Sequence, residues 1–274
     1  MSYWRGKRAV ITGGSTGLGL AVATELARRG SRLIIAARRE AQLDAAAEKL
    51  RGVAAEIISV SADVTKPADV ERLAATAMSA WGDVDLLCHC AGRSMRGEVL
   101  TTTADDFLDL WETNFLSAVR CVQAFASSLT NNRGHLVLIG SLASKAAARY
   151  LGAYPASKFP LAAYAQQLRL ENEPGGFHTL LVCPGPIKRA SESSDGFQSR
   201  YVEQASGLPS AAQQPGGGAK VRASDPNALA VKILQACEQR RAELVVPNKA
   251  RLLFAAAQLS PRLGDWLLRK MTSG

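Results

Sequence analysis

Three side chains able to hold or pass a proton fall close together in this sequence: Ser141, Tyr154 and Lys158. Tyr154 and Lys158 are four residues apart, which on a helix stacks them on one face. A phenol titrates near pH ~10 in water and is a poor acid–base group at neutrality. A neighbouring ammonium favours the phenolate and draws that value toward the working pH. Ser141 lies 13 residues before Tyr154 and offers a hydroxyl that can fix a substrate oxygen. Two prolines, Pro155 and Pro160, share the same short run and leave a loop as the other reading. Pro155 is tolerated if the helix begins beside Tyr154, because first-turn N–H groups have no helical partner. Pro160 removes the bond to the Ala156 carbonyl and should bend or loosen the first turns. The sequence predicts a helix over 154–172 that carries the pair.

A second constellation is "TGGSTGLG", Thr12 to Gly19, placed between an apolar run and a helical pattern. Its glycines Gly13, Gly14, Gly17 and Gly19 follow T-G-x-x-x-G-x-G, not G-x-G-x-x-G. Glycines allow a tight turn and close approach of backbone to a pyrophosphate, and the helix N-terminus supplies free N–H groups. The competing reading is a glycine-rich turn that binds nothing. At the end of the next apolar run stand Ala37, Arg38 and Arg39, with no carboxylate to hold a ribose 2′-hydroxyl. A guanidinium can instead grip a 2′-phosphate with two prongs, which favours NADP(H) over NAD(H). The competing reading is that both arginines merely begin a solvated helix. Asp63, in "SADV", is placed for an adenine amino group or, more plainly, for a turn or helix cap.

The elements that position these residues alternate regularly. Apolar runs at 8–12, 32–37, 55–60, 84–90, 134–140, 177–183 and 242–247 read as buried strands. Helical patterns occupy 17–29, 39–51, 67–81, 104–131 and 154–172, and "SDP" at 224–226 opens another. This alternation predicts an α/β, Rossmann-like doubly wound parallel sheet of about seven strands in a single domain. The expected catalytic domain spans 1–247, with a flexible lid at about 190–224, rich in Ser, Gly and Gln, and an amphipathic helical extension over 248–274.

Composition narrows the setting. The 274 residues are 47% hydrophobic and 21% charged, as in an ordinary globular protein. Five cysteines, an odd number mostly within apolar runs, argue for reduced thiols and a cytoplasmic location. No apolar signal region precedes the first strand, and no run approaches a membrane span. The net charge of +9 is spread along the chain without an arginine-rich tract, so nucleic acid is not an expected partner. His89, His135 and His178 show no ligand spacing and read as structural; no metal is expected.

Together the phosphate loop, Ser141 and the Tyr154–Lys158 pair resemble the classical short-chain dehydrogenase/reductase family, over roughly residues 6–247. The resemblance implies Ser141, Tyr154 and Lys158 as catalytic residues and Asn114, in "WETNFLSAV", as the asparagine of a proton relay. Asn114 lies on or beside an apolar stripe of Phe107, Leu110, Trp111, Phe115 and Ala118, and the plainer reading is a core amide satisfied by backbone. The cofactor contacts implied are Gly13, Ser15, Thr16, Gly17, Leu18 and Gly19 in the loop, then Arg38, Arg39, Asp63 and Val64. Cys90, Ala91 and Gly92 would follow the adenosine, and Pro184, Gly185 and Ile187 of "CPGPI" would hold the nicotinamide, beside Tyr154 and Lys158. Three positions depart from the family: Cys90 replaces an asparagine, Arg189 a threonine, and Thr16 a base common in NADP users.

The implied activity is an NADP(H)-dependent interconversion of a carbonyl and an alcohol on a hydrophobic small molecule, such as a 3-oxoacyl, steroid, sphingoid, aldehyde or ketone substrate. The alternative is a non-catalytic dinucleotide-binding sensor or scaffold. The family also implies a homodimer or homotetramer built on the helices 104–131 and 154–172. The basic, apolar segment from Lys249 onward could make weak peripheral membrane contact, cover the substrate cleft, or meet a subunit partner.

Overall fold

Consecutive apolar residues in the short runs make strands that bury both faces. The computed structural model describes residues 2–172, 175–188, 205, 207–209, 212 and 221–272. The strands are β1 (Arg8–Thr12), β2 (Arg32–Ala37), β3 (Glu56–Ser61), β4 (Leu86–His89), β5 (His135–Ile139), β6 (His178–Pro184) and β7 (Glu243–Val246). All are parallel in one sheet, ordered β3-β2-β1-β4-β5-β6-β7. The order reverses between β1 and β4, so a crevice opens there beyond the C-terminal strand ends.

Alternate strand residues feed two cores. Ile11, Ile35, Leu86 and Val182 face α1 (Gly17–Arg28), α2 (Glu40–Arg51) and α7 (Pro226–Glu238). Val10, Ile34, Leu87 and Leu181 face α3 (Pro67–Trp81), α5 (Ser117–Asn131) and α6 (Tyr154–Asn172). Fully buried side chains such as Ile11 and Phe125 each contribute about 2–3 kcal/mol of burial. The helix ends are chemically marked. Gly30 follows α1 at φ +82°, and Gly82 closes α3 in the left-handed region. Asp225 caps α7 by accepting from the Asn227 N–H at 2.7 Å, with Pro226 in the first turn.

The helix expected at 104–131 is not one regular helix. α4 (Ala104–Trp111) passes through a π-helical turn at Glu112–Leu116 before α5 begins. The stripe expected along it is also altered: Trp111 is 39% exposed, while Asn114 is fully buried. Two further helices, α8 (Ala250–Leu259) and α9 (Pro261–Thr272), follow β7. The lid expected at about 190–224, and Arg189 beside it, lie outside the described residues apart from 205, 207–209, 212 and 221–224.

Candidate active site

The end of β1 is shaped for close approach. Gly13 sits at φ +66°, and a Cβ there would lie 2.9 Å from the Ala91 nitrogen and 3.0 Å from the Cys90 carbonyl carbon. A Cβ on Gly19 would come within 2.2 Å of the Gly13 oxygen, so α1 packs directly on the turn. Ser15, Leu18 and Gly19 are buried, whereas Thr16 and Gly17 are exposed at the mouth. Thr16 stands at the N-cap of α1 without a side-chain cap bond, so first-turn N–H groups remain for an anion. Any side chain on Gly13 or Gly19 would collide with backbone, and the glycine cradle so formed fits a pyrophosphate.

Arg38 and Arg39 stand exposed past the end of β2, and Arg39 is the N-cap of α2 rather than its first residue. Arg38 Nη1 lies 3.8 Å from Asp63 Oδ2, and its side chain is 64% exposed. An ion pair this long and this wet holds the guanidinium weakly. Asp63 itself is engaged in its turn: Oδ1 accepts from the Thr65 N–H at 3.1 Å and from the Thr65 hydroxyl at 2.7 Å. Val64 is buried beside it.

The catalytic candidates converge where β4, β5, the π turn and α6 meet. Tyr154 is the first residue of α6 and Lys158 follows one turn later. The helix runs unbroken through Pro160, and Ala156, whose carbonyl loses its partner there, is exposed to solvent. Lys158 is buried and donates from Nζ to the Ile139 carbonyl at 2.9 Å, two residues before Ser141. Burial lowers its pKa from 10.5 to about 8. Ser141 follows the end of β5; its Oγ accepts from the Ala143 N–H at 3.1 Å and keeps its own proton to donate.

Asn114 ties these parts together. Its Oδ1 accepts from the Arg93 N–H at 2.8 Å, and its Nδ2 donates to the Arg93 carbonyl at 2.9 Å and to Ser157 Oγ at 2.8 Å. The Ser157 hydroxyl donates in turn to the Tyr154 carbonyl at 2.8 Å. A Cβ on Gly92 would meet Asn114 Oδ1 at 2.8 Å and Lys158 Nζ at 3.3 Å, so only glycine lets this strand end pass. The Asn114 side chain is fully committed in this way, and its main-chain carbonyl lies inside the π turn. π turns are frequent at functional sites.

Sequence reasoning read His89 as structural and missed its partners, which make a second clamp on the same loop. His89 is buried, and burial, with the charge of Lys158, lowers its pKa to about 3, so the ring is neutral. The Ser117 hydroxyl donates to the Thr113 carbonyl at 2.7 Å, so His89 Nε2–H donates to Ser117 Oγ at 3.2 Å. His89 Nδ1 then accepts from the Thr12 hydroxyl at 3.0 Å. The segment from His89 to Arg93 is thus pinned to the π turn at His89 and again at Arg93. Cys90, which stands where the family has an asparagine, donates its N–H to the Thr12 carbonyl at 3.1 Å, and its Sγ sits 3.4 Å from Cys88 Sγ with both thiols free. The only sequence signal was the i, i+4 spacing of Thr113 and Ser117.

On the far side, Gly185 donates its N–H to the Val246 carbonyl at 2.7 Å, which ends β6 in the Pro184-Gly185 turn. A Cβ on Gly185 would touch Val221 and Leu142 at 3.0 and 3.4 Å. Ile187 bridges to Ser224. The wall beside the turn is therefore apolar.

At the opposite end of the sheet, the fold gathers three residues the sequence did not connect. Ligand atoms of His135, His178 and Cys237 all lie within 4.8 Å of one another. The two Nδ1 atoms are 2.9 Å apart. His178 Nε2 must donate to the Arg241 carbonyl at 2.8 Å, so its Nδ1 accepts from His135 Nδ1–H. His135 Nε2 then accepts from the Tyr3 hydroxyl at 2.7 Å. Both rings are satisfied in neutral form, and burial lowers the His135 pKa to about 3.

Comparison with known proteins agrees with this geometry. The family model described as short chain dehydrogenase matches residues 7–197. The uncharacterized oxidoreductase YxnA of Bacillus subtilis is 31% identical over 268 residues, which is 96% of this chain and 71% of that protein. Glycine betaine reductase ATRR of Emericella nidulans is 38% identical over 185 residues, 66% of this chain but only 14% of that protein. A short chain dehydrogenase/reductase from Burkholderia phymatum, solved in complex with NAD, superposes with a TM-score of 0.82 at 24% identity, covering 96% of both chains. With the strand order, the glycine cradle and the family match all in agreement, this chain belongs to the short-chain dehydrogenase/reductase family of oxidoreductases.

Proposed function

We propose that this protein is an NADP(H)-dependent reductase or dehydrogenase that interconverts a carbonyl and an alcohol on a hydrophobic small molecule. The observation that carries the reading is the buried Lys158, one turn from Tyr154 and anchored to the β5 end that leads into Ser141. A buried amine costs stability, and structure alone gives no reason to place one beside a phenol and a donor hydroxyl.

The residues that would hold the dinucleotide are those of the glycine cradle, with Arg38 and Arg39 toward a 2′-phosphate and Pro184, Gly185 and Ile187 toward the nicotinamide. When bound, the nicotinamide supplies or accepts the hydride. Tyr154 Oη holds the proton that the substrate oxygen gains on reduction and loses on oxidation. The Lys158 ammonium stabilises the phenolate that remains after the proton leaves. The Ser141 hydroxyl donates to the same substrate oxygen and orients it. Asn114 acts through backbone: its side chain fixes Arg93 and Ser157, which sets the first turn of α6. Leu142 and Val221 support an apolar substrate wall.

The exposed Leu108, Trp111 and Leu170 on α4 and α6 support the reading that these helices pack against a second subunit. The free thiols of all five cysteines support a reducing, cytoplasmic setting. A panel of aliphatic, aromatic and 3-oxoacyl carbonyls, assayed by NADPH and NADH consumption, tests the function. Turnover of at least one class with NADPH favoured is expected. No turnover of any class in either direction, with NADPH still bound, would return the protein to the sensor or scaffold reading.

A further inference from the structure

The helices α8 and α9 follow β7 as a hairpin, and none of the residues assigned above to the cofactor or the reaction lies on it. Within α8, Ala250 and Phe254 lean on the core beside α5 and α6, yet none of its residues is buried. The turn into α9 is tight: Pro261 opens the helix, and a Cβ on Gly264 would lie 2.7 Å from the Ala257 Cα and Cβ. The two helices are therefore in close contact at this point. What they leave outward is apolar and large. Leu252 is 77% exposed, Leu259 87%, Leu263 45% and Trp266 56%. Leu252 and Leu259 are seven residues apart on α8, and Leu263 and Trp266 three apart on α9, so each pair lines one face of its helix.

Charge around these exposed residues has one sign. Lys249, Arg251, Arg262, Arg269 and Lys270 are set against a single acid, Asp265. Lys270 Nζ lies 5.3 Å over the Trp266 ring. Helices of ten and twelve residues are too short to cross a bilayer, and no helix among the described residues is long and apolar enough to do so. Their dimensions suit lying flat, with tryptophan and leucine at the acyl boundary and arginine and lysine at the headgroups. A second copy of the same face would bring like charges together, which disfavours self-association there.

We propose that the α8–α9 hairpin docks this protein on the surface of an anionic phospholipid bilayer. The full chain should co-sediment with vesicles of phosphatidylcholine containing phosphatidylglycerol at least about tenfold better than with pure phosphatidylcholine vesicles, and lose that binding in high salt. Trp266→Ala should weaken binding about tenfold, and so should Arg262→Glu with Arg269→Glu. These side chains are exposed, so the variants should melt like the parent. Quenching by brominated lipid should be lost in Trp266→Phe. Three results would overturn the proposal: no sedimentation with anionic vesicles, equal binding to neutral ones, or variants that bind like the parent. Light scattering supplies a fourth, in which Trp266→Ala dissociates an oligomer and vesicles leave the parent unbound. The face would then be covered by a second copy.

Discussion

The two ends of the central sheet each bury a neutral histidine among other polar groups, and they differ in how completely those groups are used. At the N-terminal end the chain Tyr3–His135–His178–Arg241 carbonyl closes at both ends, so no ring nitrogen is left to bind anything. Nearby, Asp85 spends its oxygens on Lys7, the Arg8 side chain and the Arg8 N–H. At the C-terminal end, Lys158 has three N–H bonds to give and, among the described residues, one acceptor in the Ile139 carbonyl, and Ser141 accepts while keeping its proton. Both ends are buried and both shift pKa values. What separates scaffold from site is the donor left over.

The largest effect that tests this contrast is at the phenol. Tyr154→Phe should lower kcat by about 10³-fold or more while NADPH affinity stays near that of the parent. Unchanged turnover on any accepted substrate would break the assignment. At the other end, His178→Ala takes away the partner of His135 Nδ1 and of the Arg241 carbonyl. It should cost about 3 kcal/mol in denaturant unfolding, with activity per folded molecule unchanged. Because that cluster is satisfied, added zinc should leave its melting temperature where it was; a rise of several degrees would make it a ligand site.

Lys158 gives a signed pH test. Its folded pKa is about 8 against 10.5 for the free side chain, so the unfolded state binds the extra proton between those values. The burial penalty is present in full below pH 8 and fades as pH rises toward 10.5. The parent should therefore gain about 2 kcal/mol of stability relative to Lys158→Met between pH 8 and pH 10. A flat difference would mean that Lys158 is not desolvated. The smallest effect is at Arg38. Arg38→Ala should cut the preference for NADPH over NADH about tenfold, chiefly through KM. Equal use of both cofactors by the parent would remove the 2′-phosphate argument.

Much of the architecture could be read beforehand because its signals are local. Buried runs, Pro226 after Asp225, and Gly30 after α1 each specify an element by residues within it or beside it. The loop glycines were legible for the same reason. What escaped depends on distance. Nothing near His89 in the chain shows that Thr12 and Ser117 lie at its two nitrogens, since those partners are 77 and 28 residues away. His135 and His178 look unrelated until β5 and β6 pair them in register. Trp111 was placed in a buried stripe because a regular helix was assumed, and the π turn changed the count.

That turn sets a phase. Leu110 and Ala118 are both fully buried, eight residues apart. In an unbroken α-helix, eight residues overshoot two turns by about 80°. The wider turn at Glu112–Leu116 absorbs that excess, which lets α4 and α5 present one continuous seam to the core. The surplus residue is stored in the segment that carries Asn114. Removing a single residue there would set Leu110 and Ala118 seven apart, within about 20° of two regular turns, so the seam would survive while the turn that carries Asn114 would be lost. The length of this stretch is therefore as much a part of its information as the identity of any residue in it.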